Sequence, residues 1–261
     1  MPPEFADSHC HLNYEGLSHR TDEVLQAMAS AGVSRALNIC TTLEEADQVR
    51  DQTLGRARLW CSVGVHPDYD DVASEPTVDE LVRRADHEKV VAIGETGLDY
   101  YRLQGNLDWQ RERFRVHIRA ARAVNKPLII HTREAAEDTL AILREEKAHE
   151  IAGVMHCFTE SLAFAKASID LGFFISLSGI VTFKNAHQVH EVAREVPLES
   201  LLIETDSPFL APVPFRGKTN EPAYVVHVAE RIAELKGINV DEVAKVTTQN
   251  FCRFIRCSVD A

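Results

Sequence analysis

Short apolar, β-branched runs alternate with amphipathic stretches along the whole of this chain. Eight runs stand out: Phe5 to Cys10, Ala36 to Cys40, Leu59 to Val65, Val90 to Gly94, Leu128 to Ile130, Val154 to Met155, Phe173 to Leu177 and Leu201 to Ile203. They read as strands. Between them apolar residues recur at three-to-four spacing, as at Trp109, Phe114, Ile118 and Ala121 within Trp109 to Val124. That stretch reads as a helix, and so does Thr21 to Ala31, which closes on Gly32. Eight strand–helix alternations in 261 residues predict an α/β fold, a (β/α)8 TIM barrel forming one domain over residues 1–261. A doubly wound open sheet is the runner-up, but no glycine-rich nucleotide fingerprint follows an early strand.

Composition narrows the class. An apolar fraction of 45% and a charged fraction of 26% are those of an ordinary globular protein. No apolar run approaches the ~20 residues needed to cross a bilayer. The N-terminus lacks a basic region followed by an apolar stretch, so a signal peptide is not expected and a cytoplasmic location is. Cys10, Cys40, Cys61, Cys157, Cys252 and Cys257 form no Cys-x-x-Cys pair and mostly lie in apolar runs, so they read as buried reduced thiols. A net charge of −12 argues against a non-specific nucleic-acid coat. Any phosphate-bearing substrate must then be held locally, by metal ions and a few cations.

The active site of such a barrel lies at the C-terminal ends of its strands, so polar residues there are candidates for chemistry. His9 and His11 end the first run, and side chains at i and i+2 of a strand share a face. His66 follows the third run, Glu95 the fourth, His131 the fifth, His156 the sixth, and Glu204 and Asp206 the eighth. His87, His117, His149, His187, His190 and His227 fall in helical or polar stretches and His19 in a loop; these read as surface or hydrogen-bonded residues. Singly, each candidate has a bland alternative: a solvated His-x-His near a terminus, a hydrogen-bonded core histidine, a carboxylate capping a loop. Converging on one mouth, they would be a costly cluster of buried charge unless metal neutralised it. Mixed imidazole and carboxylate ligands suit Zn, Mn, Fe or Mg, and the lack of thiolate at strand ends argues against a closed structural zinc. More than four ligands points to two ions, with Glu95 between them.

The motifs Asp7-Ser8-His9-Cys10-His11-Leu12, Gly64-Val65-His66-Pro67, Gly94-Glu95-Thr96-Gly97-Leu98-Asp99-Tyr100, His131-Thr132-Arg133, His156-Cys157-Phe158 and Glu204-Thr205-Asp206-Ser207-Pro208 carry a family resemblance. Together they are similar, nearly end to end, to the TatD family of metal-dependent hydrolases, and within it to the YcfH branch. The resemblance implies that His9, His11, Glu95 and Asp206 hold one divalent ion and that Glu95, His131 and His156 hold the other, the ions being Mg, Mn or Zn. Glu95 stands where relatives in the wider superfamily place a carbamylated lysine. It also implies hydrolysis of ester bonds, with 3′ to 5′ exodeoxyribonuclease action on DNA as the leading activity and aminoacyl-tRNA deacylation among related ones. The family's late pattern appears as Arg216-Gly217-Lys218-Thr219-Asn220-Glu221-Pro222, with Thr219 where several members have arginine.

Two ions ~3.5–4 Å apart would activate a water and stabilise both oxygens of an in-line displacement. Glu95 and Asp206 are the expected catalytic residues, with Asp206 as general base. His66, Arg133 and Lys218 are expected to contact substrate phosphate, and Asp99 to support a ligand from behind. The expected partner is a DNA oligonucleotide or other phosphodiester, with no membrane and no obligate protein partner. A small-molecule amidohydrolase, lactonase or phosphoesterase, or a non-catalytic metal-loaded binding protein, remain as alternatives.

Overall fold

The computed structural model describes residues 3–70, 75–103 and 105–258. Its strands are β1 (Phe5–Cys10), β2 (Val33–Asn38), β3 (Leu59–Val63), β4 (Val90–Asp99), β5 (Leu128–Arg133), β6 (Gly153–Met155), β7 (Phe173–Leu177) and β8 (Leu201–Ile203). The helices among the described residues are α1 (Thr21–Ser30), α2 (Ala46–Asp51), α3 (Val78–Ala85), α4 (Asp108–Val124), α5 (Ala136–Glu145), α6 (Leu162–Asp170), α7 (His187–Glu195), α8 (Val225–Lys236) and α9 (Val240–Ile255). The strands lie in one sheet in sequence order, and every neighbouring pair from β1 to β8 is parallel. The segment after β8 meets the end of β1 through a parallel bridge between Cys10 and Ser207. The Asp206 N–H donates to His9 O at 2.9 Å and the His11 N–H to Ser207 O at 2.8 Å. The (β/α)8 barrel expected from the sequence is therefore the observed architecture.

Two strands run further than their apolar patterns indicate. β4 continues past Gly94 to Asp99, and β5 past Ile130 to Arg133, so Glu95 and His131 sit within paired strands rather than just beyond them. Glycine permits this. A Cβ at Gly94 would lie 2.6 Å from Ile129 O, and one at Gly97 2.0 Å from His131 O, so only a residue without a side chain lets the two backbones approach. β2 is shifted the other way, starting at Val33 and ending at Asn38 rather than Cys40.

The sequence reading did not single out α9, which closes the end of the barrel where the strands begin. Its Phe251, Cys252, Phe254 and Ile255 pack with Ala6, Leu37, Trp60, Ala92, Ile129, Val154 and Leu202, one from each of seven strands, and Phe174 of β7 joins at the edge. On β1, β3, β4, β5, β6 and β8 this residue precedes the strand's polar candidate. Asn239 caps α9, its side chain accepting from the Asp241 N–H. All six cysteines are free thiols, as expected. No helix among the described residues is long and apolar enough to cross a membrane.

Candidate metal centre

At the opposite end the strands deliver their polar residues to one point. The end of β1 and the residue just past it bring His9 and His11 together with their Nε2 atoms 3.3 Å apart. Glu95 reaches between two groups. Its Oε2 lies 3.3 Å from His9 Nε2 and 4.0 Å from His11 Nε2. Its Oε1 lies 2.8 Å from His156 Nε2, 3.2 Å from His66 Nε2 and 3.3 Å from His131 Nδ1. Asp206, just past β8, places Oδ1 3.3 Å from His11 Nε2 and 3.7 Å from His9 Nε2. Three sets of ligand-type side chains could therefore hold an ion: His9, His11 and Asp206; His9, Glu95 and His156; and His66, Glu95 and His131.

The hydrogen bonds behind these rings fix which nitrogen faces the centre. His131 Nε2 donates to Asp99 Oδ2 at 3.0 Å, leaving Nδ1 as a lone pair toward Glu95. His156 Nδ1 donates to Glu204 Oε1 at 3.2 Å, leaving Nε2. His11 Nδ1 donates to Ile39 O at 3.3 Å, again leaving Nε2. These three rings could then act as ligands. His66 is the opposite case: its Nδ1 accepts the Asp68 N–H at 3.1 Å, so the neutral ring carries its proton on Nε2, aimed into the site. That makes His66 a hydrogen-bond donor, despite its place in a ligand-type cluster.

The facing nitrogens can also carry protons, which a bound cation would displace, and the charges are then mutually held. Burial works against ionisation of Glu95, but His156, His66 and His9, with the His131 hydrogen bond, hold its carboxyl well below the usual range. Burial likewise opposes charge on His156, yet Glu95 and Glu204 outweigh it and push the imidazole well above its ordinary value. His9 goes down, through burial and the neighbouring His156. Burial opposes ionisation of Asp206 too, and its hydrogen bond with His11 overcomes that. Asp99 is kept low by the His131 hydrogen bond and the N–H groups of Arg102 and Tyr101, against burial.

The donor set fits divalent cations. Imidazole and carboxylate, with no thiolate, are the ligands of Zn, Mn or Mg sites. The geometry agrees: His156 Nε2 is buried and makes no well-directed hydrogen bond although Glu95 Oε1 is 2.8 Å away, an orphaned polar atom that a bound cation would satisfy.

The sequence candidates do not all gather here. Glu204, counted among the ligand-type residues, is fully buried behind His156 and also accepts the Cys157 N–H at 2.7 Å, so it orients rather than faces the centre. Arg133 lines a cavity of about 710 Å³ over the site, its guanidinium 3.7 Å from the Tyr101 ring centroid. Lys218 is exposed and is not among the residues lining that cavity. Asp7 opens the first motif, but the sequence assigned it no role. It accepts from the Thr205 N–H and hydroxyl and from the His9 N–H, tying β1 to the segment that carries Asp206, and burial raises its carboxyl to about 8. Tyr14 stacks on His11 with centroids 4.6 Å apart, and Phe209 stands 52% exposed at the rim. Asn220 explains the late motif: its Nδ2 donates to Thr205 O and Phe209 O, pinning the loop after β8.

A parallel barrel with carboxylates and imidazoles converging at its C-terminal mouth defines a metal-dependent hydrolase. The chain belongs to the TatD related DNase family, whose model matches residues 6–256. It is 52% identical over 255 residues to an uncharacterized metal-dependent hydrolase, YcfH, of Escherichia coli strain K12, covering 95% of this chain and 94% of that protein. It is 43% identical over 253 residues to an uncharacterized metal-dependent hydrolase, YabD, of Bacillus subtilis strain 168, covering 96% and 98%. The crystal structure of the TatD homologue YjjV from Escherichia coli K12 superposes with a TM-score of 0.91 at 28% identity, covering 99% of this chain and all of that one.

Proposed function

We propose that this hydrolase cleaves phosphodiester bonds as a 3′ to 5′ exodeoxyribonuclease, with two divalent ions sharing Glu95. The observation that carries the reading is the division of Glu95: Oε2 faces His9 and His11, and Oε1 faces His131 and His156, at the floor of a cavity walled by Arg133. His9, His11, Glu95 and Asp206 would hold one ion and Glu95, His131 and His156 the other. Bound divalent metal would supply an activated water and charge stabilisation for the phosphoryl group.

The chain's own residues do the rest. Asp206 is 15% exposed and reaches the cavity, so its carboxylate can orient the attacking water and accept its proton. Arg133 forms no ion pair among the described residues, which leaves its donors available to two phosphate oxygens. The His66 Nε2–H faces Glu95 Oε1 at 3.2 Å and would turn from it to donate to a third. Asp99 and Glu204 keep His131 and His156 in their working tautomers. Lys218 does not line that cavity and would meet the substrate outside it.

The reading is tested by incubating metal-reconstituted protein with 5′-labelled single-stranded DNA and with a panel of small carboxylic and phosphoric esters. Stepwise shortening from the 3′ end is the expected result. Turnover of small esters alone would overturn the nuclease assignment and keep the hydrolase.

A further inference from the structure

Many arginines of this acidic chain face a carboxylate, as Arg102 does Asp68 at 3.2 Å and Arg115 does Glu145 at 2.9 Å. Arg216 and Lys218 make no ion pair among the described residues. Each lies over an aromatic ring instead, Arg216 at 4.0 Å from the Phe183 centroid and Lys218 at 5.7 Å from that of Phe215. Both cations belong to the loop after β8, and Phe183 follows β7. The two loops form one ridge. A Cβ at Gly179 would lie 2.1 Å from Leu210 O, and the Val213 N–H donates to Thr182 Oγ1 at 2.9 Å.

The mouth end of this ridge is Phe209, whose ring centroid lies 6.4 Å from that of His11 and 5.9 Å from that of Tyr14. Phe209 is 52% exposed and Val213, further along the same loop, 47%. A half-exposed phenyl ring beside a buried polar centre contributes little to packing. An exposed ring in the same loop as cations that no carboxylate neutralises is, however, what single-stranded nucleic acid uses: a base stacks on the ring and phosphates meet the cations. On a chain of net charge −12 the patch is a local reversal of sign.

We propose that this ridge carries the body of a single-stranded nucleic acid away from the metal mouth, with a base stacked on Phe209 and the phosphates beyond it held by Arg216 and Lys218. The inference rests on the nuclease reading and adds the path of the strand. It gives Lys218 a place on that path, outside the mouth. It also requires unpaired bases, because a base within a duplex cannot offer its face to Phe209.

The test uses the metal-reconstituted full chain and three substrates: a ten-nucleotide single strand, the same strand with abasic sites at its last three nucleotides, and a dinucleotide. In Phe209→Ala the ratio of kcat/KM for the intact over the abasic strand should fall by about fivefold to a hundredfold, while Phe209→Tyr keeps it. In Arg216→Ala the ratio for the ten-nucleotide strand over the dinucleotide should fall severalfold, through KM for the longer strand. Both ratios unchanged in active variants would overturn the ridge and leave the nuclease reading standing. No digestion of any of the three by the wild type would overturn both.

Discussion

Where the strands begin, seven of the eight contribute a buried apolar residue to a plug completed by α9; where they finish, strands or the segments just beyond them contribute imidazoles and carboxylates to one buried cluster. Each end also has a cavity. The one beside α1, about 530 Å³ and lined by residues such as Leu25, Met28 and Val33, gathers none of the ligand-type clusters found at the mouth. The contrast divides the labour of the fold. Apolar burial at the closed end stabilises the barrel at roughly 25 cal/mol per Å², whereas buried charge at the open end costs stability until cations compensate it. Substitutions at the two ends should therefore fail in different ways.

Glu95→Gln attacks the open end and should have the largest effect. Removing the charge shared by both sets of imidazoles should cut turnover by at least ~10³-fold, about 4 kcal/mol, measured as kcat with saturating metal. The metal-free variant should lose far less folding stability than turnover, since the facing imidazoles can shed the protons that Glu95 held. Loss of folding and activity together would erase the distinction between the ends. Phe251→Ala attacks the closed end, removing a fully buried ring that lies 6.0 Å from Trp60. It should destabilise by about 3–5 kcal/mol in denaturant titration, with the folded fraction still binding metal at wild-type stoichiometry.

A buried histidine that serves neither end sharpens the comparison. His117 on α4 donates from Nδ1 to Arg113 O at 2.8 Å and accepts the Val65 N–H on Nε2 at 3.0 Å, and burial lowers it to about 4. Below about pH 6.5 the unfolded chain takes up a proton that folded His117 refuses until about pH 4, so stability is present above that window and lost as pH falls through it. The loss should reach on the order of 3 kcal/mol, and His117→Gln should flatten it in a pH series of unfolding midpoints. Asp99→Asn is the mildest change. It leaves His131 in place but weakens the acceptor that fixes its tautomer, so metal affinity should drop about 10- to 100-fold, read by competition with a chelator.

The open end was the more legible of the two. Its ligand-type residues follow apolar runs, so their convergence is a consequence of parallel strands in a barrel. What stayed hidden depends on contacts across the chain. Glu204 and His156 are 48 positions apart, and only their hydrogen bond shows that one orients the other. The tautomer of His66 is set by a backbone N–H two residues on, which no side-chain pattern reveals. Strand limits at Gly94 and Ile130 were misplaced because glycine and polar residues usually end an apolar run; here two glycines let β4 and β5 continue in contact. The role of α9 could not be read from its own periodicity, since an apolar face does not say which surface it covers.

The central claim is that Glu95 serves two ions at once. The most direct measurement is the number and position of bound ions after saturation with Mn²⁺ or Zn²⁺, by elemental analysis and by anomalous scattering from a crystal. Two ions per chain flanking the Glu95 carboxylate, one beside His9 and His11 and the other beside His131 and His156, is the predicted result. A protein that never exceeds one ion, or whose ions lie away from Glu95, would contradict it.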